Sequence, residues 1–517
     1  MEIELKFILT STQIDAFKHA IAESSYQYED KGISELGNAY YDTAEQTLRQ
    51  LDIGLRTRTV KKHGKEPRAE QTVKLAGNDV AGLQLRPEFT VPLIINEEAG
   101  DCFANLELFE SNIWPAKLDI KKLNANIDKV FETRFERHKW NIHLPNGALI
   151  ECVLDQGIVE AEFEGELKTE TICEFELELI EGEVESLFEL AHYFTGKVEA
   201  KLGFLSKAAR GYHLAKGHKN KISNLSNVDI SVGANLESAF IKSLSYGLNF
   251  IQHNELVFAD DHKPKSFRRV MDGVSLLIHT LTLFAPYLPE SSCDKFIERF
   301  KQWRGQASWI ESFYQLEKLQ DRKSPYRKDI ESSEPLIALL SSRKMPEDKL
   351  QQISHEFSSK AFNQLILGFI QWLATKGWRN EMPVEALANL NKPLEFETNK
   401  WLDGAWENFK VKIKQVKLDA ESKSVEQAYW QLAAGMLTGI VVGNLYHEQD
   451  REVFRSHLLN LLLGFEEYIL LVKLKGILAT EPELAEDNLK WINAKMESLN
   501  VALSASISSV KKLKPYW

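Results

Sequence analysis

The chain has 517 residues, 44% hydrophobic and 27% charged, and a formal net charge of −12 at pH 7. That length exceeds one ordinary core and calls for two or three domains of soluble globular composition. The acidic balance argues against broad nonspecific nucleic-acid binding but leaves room for a local basic groove.

The opening stretch Glu2-Ile3-Glu4-Leu5-Lys6-Phe7 alternates strictly. As a strand it places Glu2, Glu4 and Lys6 on one face and Ile3, Leu5 and Phe7 on the other. Glu2 and Glu4 also stand where a secretory leader would carry positive charge. Thr12 with Asp15 then reads as a helix start, with Ile14, Phe17 and Ile21 on one face. Strand-like segments follow at 34–42, 54–61, 69–76, 83–93, 128–143, 147–155 and 171–180, separated by turns such as Ala76-Gly77-Asn78 and Pro145-Asn146-Gly147. A covering helix is expected over 183–194.

The polar stretch 216–232 has neither period and reads as a linker between a first domain, 1–215, and a helical one, 233–517. The second domain's clearest apolar stripe is Phe362, Leu365, Ile366, Phe369, Ile370 and Leu373. Trp372, Trp378, Trp401, Trp406 and Trp430 read as core residues there, and His253, His279, His447 and His457 as structural or surface histidines. No apolar run looks long enough to cross a bilayer. Cys102, Cys152, Cys173 and Cys293 lack C-x-x-C spacing, so neither a zinc site nor a disulfide framework is indicated. A cytoplasmic location is the expectation, without nucleic acid or membrane as partner.

Other strands carry charge at the same period. Glu174, Glu176 and Glu178 share one side of their segment, and Arg56, Arg58, Lys74, Arg86, Glu88 and Arg137 sit at strand positions. If these strands close into a barrel with apolar faces outward under helices, the charges line the interior. They persist there only when paired with one another, with metal ions or with a charged ligand. Carboxylates suit hard Mg²⁺ or Mn²⁺, and guanidinium and ammonium groups suit phosphate oxygens. Both kinds in one tunnel imply a metal–polyphosphate complex. No G-x-x-x-x-G-K-[ST] loop is present.

These residues resemble the CYTH, or triphosphate tunnel metalloenzyme, family. The resemblance rests on Glu2-x-Glu4-x-Lys6, Tyr40-Tyr41-Asp42-Thr43, Leu55-Arg56-Thr57-Arg58, Thr72-Val73-Lys74, Arg86-Pro87-Glu88, Arg137, Asp155-Gln156-Gly157, the 174–178 glutamates and Ser206-Lys207-Ala208-Ala209-Arg210-Gly211, over roughly 1–215. It implies an α+β protein with an eight-stranded antiparallel β tunnel under covering helices, followed by an all-α bundle. It implies a hydrolase acting on inorganic triphosphate with two Mg²⁺ or Mn²⁺ ions. The metal carboxylates would be Glu2, Glu4, Glu174 and Glu176, with Glu178 and Asp155 as further candidates and the choice among the three 174–178 glutamates open. The phosphate clamp would be Lys6, Arg56, Arg58, Lys74, Arg86, Arg137 and Lys207, with Glu88 orienting a basic neighbour or a water. Glu2, Glu4, Lys6, Glu88 and Glu176 would carry catalysis.

The helical part resembles the CHAD domain, which implies polyphosphate as a second partner. Ile278 stands where that pattern puts a basic residue beside His279, so weak affinity is the expectation. Adenylate cyclase, thiamine or nucleoside triphosphatase and noncatalytic polyphosphate binding are the competing functions.

Overall fold

The computed structural model describes residues 2–517 except 78, 79, 81, 96–101, 117, 218, 219, 322, 345 and 419–422. Asn78 of the first expected turn and part of the expected linker lie outside the described residues. The chain divides into two compact units, residues 1–220 with 351–377, and residues 221–350 with 378–517.

Among the described residues the first unit is built on ten strands: β1 (Glu2–Ile8), β2 (Gln27–Asp42), β3 (Gly54–Lys61), β4 (Arg68–Lys74), β5 (Leu83–Arg86), β6 (Glu88–Leu93), β7 (Asp128–His143), β8 (Leu149–Phe163), β9 (Glu166–Glu181) and β10 (Lys201–Gly203). Their order is β10-β1-β9-β8-β7-β2-β3-β4-β6, and β5 pairs with β1. Every pairing is antiparallel. β5 and β6 are separated only by Pro87, so one bent segment pairs β1 with its first half and β4 with its second. The hydrogen-bonded circuit therefore has eight positions, as expected. Gly77 lies close against β5, where a Cβ would come 2.1 Å from the Leu85 carbonyl oxygen.

The apolar faces point outward. Leu5 and Phe7 are fully buried, and Phe7 stacks on Phe175 of β9 at 4.7 Å. Helix α1 (Ile14–Ala22) supplies Phe17, stacked on Phe175 at 4.4 Å. Two short helices, α2 (Thr47–Gln50) and α3 (Ile120–Asn124), and then α4 (Val184–Lys197) follow. From α4, Phe194 packs on Phe17 at 5.2 Å.

Helix α5 (Lys207–Ala215) departs from the outer-cover expectation. It packs on β7, β8 and β9 with Phe131, Phe135, Val159 and Ile172. These residues share strand parity, and so a face, with Arg137, Asp155 and Glu174. α5 thus lies against the inner face. Gly211 makes this possible, since a Cβ there would lie 2.0 Å from Phe131 Cδ2.

The helix Lys360–Ala374 carries the apolar stripe read from the sequence, but it belongs to this first unit and not with the other bundle helices. It packs on α4, and its Asn363 Oδ1 accepts a hydrogen bond from the Leu202 N–H at 3.0 Å.

The second unit is all helical, with Leu236–Asp261, Pro264–Phe284, Glu395–Lys414, Lys423–Val442, Glu448–Leu478 and Pro482–Val510 as its longest members. Trp378, Trp401 and Trp406 are buried in it, whereas Trp430 is 57% exposed, against expectation. The stretch Pro264–Tyr287, contrary to the sequence reading, is long and apolar enough by length and composition to cross a membrane. It is 56% buried inside the unit, as a core helix would be.

Candidate active site

Strand pairing arranges the inward side chains in rows. Across β5, β1, β9 and β8 one row reads Gln84, Glu4, Glu178, Glu151. The next reads Lys6, Glu176, Val153, Lys139, and Glu174 and Asp155 meet Arg137 one step further along. On the opposite wall Arg56 faces Tyr40 and Thr72, Arg58 faces Asn38 and Glu70, and Lys74 faces Glu88. The three glutamates of β9 thus share one face at different depths.

These rows enclose a cavity of about 280 Å³ lined by Glu2, Glu4, Lys6, Arg56, Arg58, Lys74, Arg86, Glu88, Arg137, Glu176, Glu178 and Lys207 among the expected residues. Asp155 and Glu174 do not line it. They are fully buried beside Glu176, the three carboxylates offering oxygens within 4.8 Å of one another.

Four cations drawn from the protein saturate this trio. Lys207 Nζ lies 2.7 Å from Asp155, 2.5 Å from Glu174 and 3.0 Å from Glu176. Lys6 reaches Glu176 at 2.8 Å and Glu174 at 3.3 Å. Arg137 grips both oxygens of Asp155 and touches Glu176 at 2.9 Å, and Arg210 meets Glu174 at 3.2 Å. Buried charges survive when matched in this way. The Ser206 to Gly211 segment makes the arrangement possible. Ser206 caps α5 by accepting the Ala209 N–H at 3.1 Å, Lys207 and Arg210 supply charge, and Gly211 allows close approach. Asp42 holds α5 to β2, accepting from the Tyr212 hydroxyl at 2.8 Å and from the backbone of Thr43, Leu48 and Arg49.

The cavity itself is not matched. Glu4 and Glu178 have no ion-pair partner among the described residues, although they are direct cross-strand neighbours, and like charges so placed are destabilising. Burial, with Glu151 and Glu4, raises the Glu178 carboxyl to about 7. Burial also raises Glu2 to about 8, Glu4 and Glu88 adding to it against the pull of Lys74, which lies 2.5 Å away. Lys74 at 3.2 Å and Arg56 at 3.4 Å hold Glu88 low despite its burial. On the basic wall, burial pushes the Arg58 guanidinium down to about 9, helped by Arg56 and Arg137. Its Nε donates to Asn38 Oδ1 at 2.7 Å.

One part of the cavity therefore crowds carboxylates, with Glu4 and Glu178 outside any ion pair among the described residues, and another crowds guanidinium groups. The oxygen donors of Glu2, Glu4 and Glu178 fit a hard divalent cation. Sequence reasoning missed Glu151, paired with Lys139 at the cavity edge, and Gln84; Tyr40, Thr72 and Ser206, which also line the cavity, stand in the quoted motifs but were given no role there.

Fold and site define a class, an antiparallel β tunnel with buried carboxylates beside a cluster of guanidinium groups. Comparison with known proteins finds similarity for this part of the chain. The CYTH domain profile matches residues 1–212. The inorganic triphosphatase of Haemophilus influenzae is 31% identical over 180 residues, which make up 35% of this chain and 46% of that protein. The match thus spans about half the length of this relative. Among solved structures, the CHAD domain from the plant Ricinus communis is similar at a TM-score of 0.41 and 15% identity, covering 58% of this chain and 98% of that one. A putative adenylyl cyclase from Hippeastrum, described as having a dominant triphosphatase activity, is similar at a TM-score of 0.27 and 16% identity, covering 41% and 95%.

Proposed function

We propose that the chain is a metal-dependent inorganic triphosphatase that hydrolyses triphosphate to pyrophosphate and phosphate inside the tunnel. The observation that carries this reading is the split cavity, in which buried carboxylates are raised at one wall while a guanidinium is lowered at the other. A bound metal–anion pair relieves both at once. The lining also favours a substrate without an organic group, because Val153, Ala208, Gly54 and the Tyr40 ring are its least polar members and offer little shelf for a base.

Glu2, Glu4 and Glu178 would hold Mg²⁺ or Mn²⁺. A second ion would compete with Lys6 and Lys207 for Asp155, Glu174 and Glu176. When bound, the cation acidifies water and offsets phosphate charge. Arg56, Arg58, Arg86, Arg137 and Lys74 bind phosphate oxygens, and Glu88 orients Arg56 and Lys74. The water oxygen bonds to the terminal phosphorus, the bond from that phosphorus to the bridging oxygen breaks, and pyrophosphate leaves. The water's proton passes to solvent.

Release of phosphate and pyrophosphate from triphosphate, ATP and thiamine triphosphate, each with Mg²⁺ or Mn²⁺, tests the reading. Triphosphate is expected to be preferred. Cyclic AMP formed from ATP would overturn it, as would Glu4→Gln with unchanged turnover.

For the helical unit the proposal is weak polyphosphate affinity at most. His279 is partly buried, with its Nε2 on Thr438 Oγ1 at 2.9 Å. The basic group at 263–269 is partly committed, with Arg268 on Glu311 at 2.9 Å and Arg269 on Asp272 at 2.6 Å.

A further inference from the structure

The strand that carries Glu2, Glu4 and Lys6 is held unevenly. One side of β1 pairs with β9, and the other pairs with β5 over Glu2–Leu5 and with β10 over Lys6–Ile8. β10 has only three residues and stands at the end of the strand order. So short a strand does not fix its own place, and an edge leaves backbone donors to be satisfied from outside the sheet. The Leu202 N–H is such a donor, and the buried Asn363 accepts it through Oδ1 at 3.0 Å.

Asn363 is itself fixed. Its Nδ2 donates to the Phe357 and Ser359 carbonyls, both at 3.0 Å, and Ser359 caps the helix Lys360–Ala374 by accepting the Phe362 N–H at 3.3 Å. Two further ties hold that helix, Lys360 Nζ on the Lys197 carbonyl and Gln371 Oε1 with His192 Nε2 of α4, each at 3.0 Å.

Two lysines take their places from β10. Gly203 stands opposite Lys6, so close that a Cβ on it would lie 3.1 Å from Lys6 Cγ. The chain then runs into α5, whose first residue is Lys207. The two ammonium groups meet at the same oxygens, Glu174 Oε1 and Glu176 Oε1, and both residues line the first cavity. β10 is thus the shared support of two cations that arrive from opposite ends of the first domain's sequence.

We propose that Asn363 is a positioning residue for triphosphate binding: by fixing β10 it sets where Lys6 and Lys207 present their charge, so a helix far outside residues 1–212 governs substrate affinity in the tunnel. The inference rests on the triphosphatase reading. Asn363 is neutral and acts through backbone register, and site groups displaced by about 1 Å by a remote change lose much of their effect.

The test is steady-state hydrolysis of triphosphate with saturating Mg²⁺ or Mn²⁺ by the full chain and by Asn363→Ala, Asn363→Asp, Gln371→Ala and Gly203→Ala, each checked by circular dichroism and thermal unfolding. Asn363→Ala removes the acceptor and should raise KM about tenfold while kcat changes less than about twofold. Asn363→Asp keeps an acceptor for Leu202 but gives up both Nδ2 donations, so the melting temperature should fall while KM stays within about twofold of wild type. Gln371→Ala, which loosens the same helix where it meets α4, should do the same. Gly203→Ala presses on Lys6 from β10 and should raise KM, and combining it with Asn363→Ala should raise KM by less than the product of the two. An unchanged KM in folded Asn363→Ala overturns the positioning role, and Gly203→Ala decides in the same way if Asn363→Ala does not fold. A rise in Asn363→Asp or Gln371→Ala equal to that in Asn363→Ala overturns it too, since general loosening would then be the cause. A wild type that hydrolyses no triphosphate would instead remove the underlying function.

Discussion

Glu178→Gln should make the protein more stable and less active. Glu178 stands between Glu4 and Glu151 in neighbouring strands, and burial with these two neighbours raises its carboxyl from an ordinary 4.5 to about 7. A carboxyl raised in the folded state binds its proton more tightly there, so the stability it confers is full below about pH 4.5 and is lost as pH rises through 7. Keeping it ionised at pH 8 costs about 2 kcal/mol after allowance for solvent at a half-buried side chain. Removing that charge should raise the melting temperature by about 4–8 °C in chelator at pH 8 and by much less at pH 4.5. With Mg²⁺ or Mn²⁺ present, the same change should lower kcat/KM for triphosphate by about 100-fold, or about 2.7 kcal/mol of transition-state stabilisation. Thermal unfolding at the two pH values and phosphate release across a metal titration provide the readouts. A variant that melts no higher at pH 8, or that keeps its metal dependence unchanged, would refute the claim that this row awaits a cation.

Arg58→Gln should raise KM for triphosphate about tenfold without lowering the melting temperature, because burial beside Arg56 and Arg137 already disfavours its charge; a lower melting point with unchanged KM would contradict this. Gly211→Ala should cost about 2 kcal/mol in a denaturant titration, since its Cβ would meet Phe131 at 2.0 Å, and pairing it with Phe131→Leu should recover part of the loss. His279 is held neutral by burial, its pKa lowered from 6.5 to about 4. Stability present above pH 6.5 is therefore lost as pH falls toward 4, by about 3 kcal/mol, and His279→Gln should flatten that part of a pH–stability curve.

Much of the site was legible because period two writes two faces into one stretch of sequence. In β1 the alternation puts Glu2, Glu4 and Lys6 on one face before any partner strand is known, and the matching charged faces of the other strands turn that face inward. Pairing is what alternation does not encode. Glu151 lies among the apolar neighbours Leu149, Ile150 and Cys152, and only its place opposite Glu178 reveals it as part of the carboxylate row. The sequence reading ends the β8 segment at Asp155. The strand instead runs to Phe163, and Gly157 lets it lie flat on β7, where a Cβ would come 2.1 Å from the Arg134 carbonyl oxygen. The apolar stripe of Lys360–Ala374 correctly announced a buried helix face. A stripe says that a partner exists but not which one, and here the partner is α4 in the β unit. The SKAARG segment was recognisable as a motif, yet its lodging on the inner face depends on Phe131 and Val159, far away in sequence.

The saturated trio has a consequence for how the barrel is assembled. Its charges come from β1, β7, β8, β9 and α5, and Lys6 and Lys207 are about two hundred positions apart. A one-residue slip of β9 would swing Glu174 and Glu176 outward and bring Phe175 and Leu177 in. That slip would strand Lys6, Lys207 and Arg137 without counter-charges in a dry interior, at several kcal/mol for each broken pair. The network thus works as a checksum on strand register, satisfied only when all five elements are in place. Contacts so distant in sequence are also slow to form.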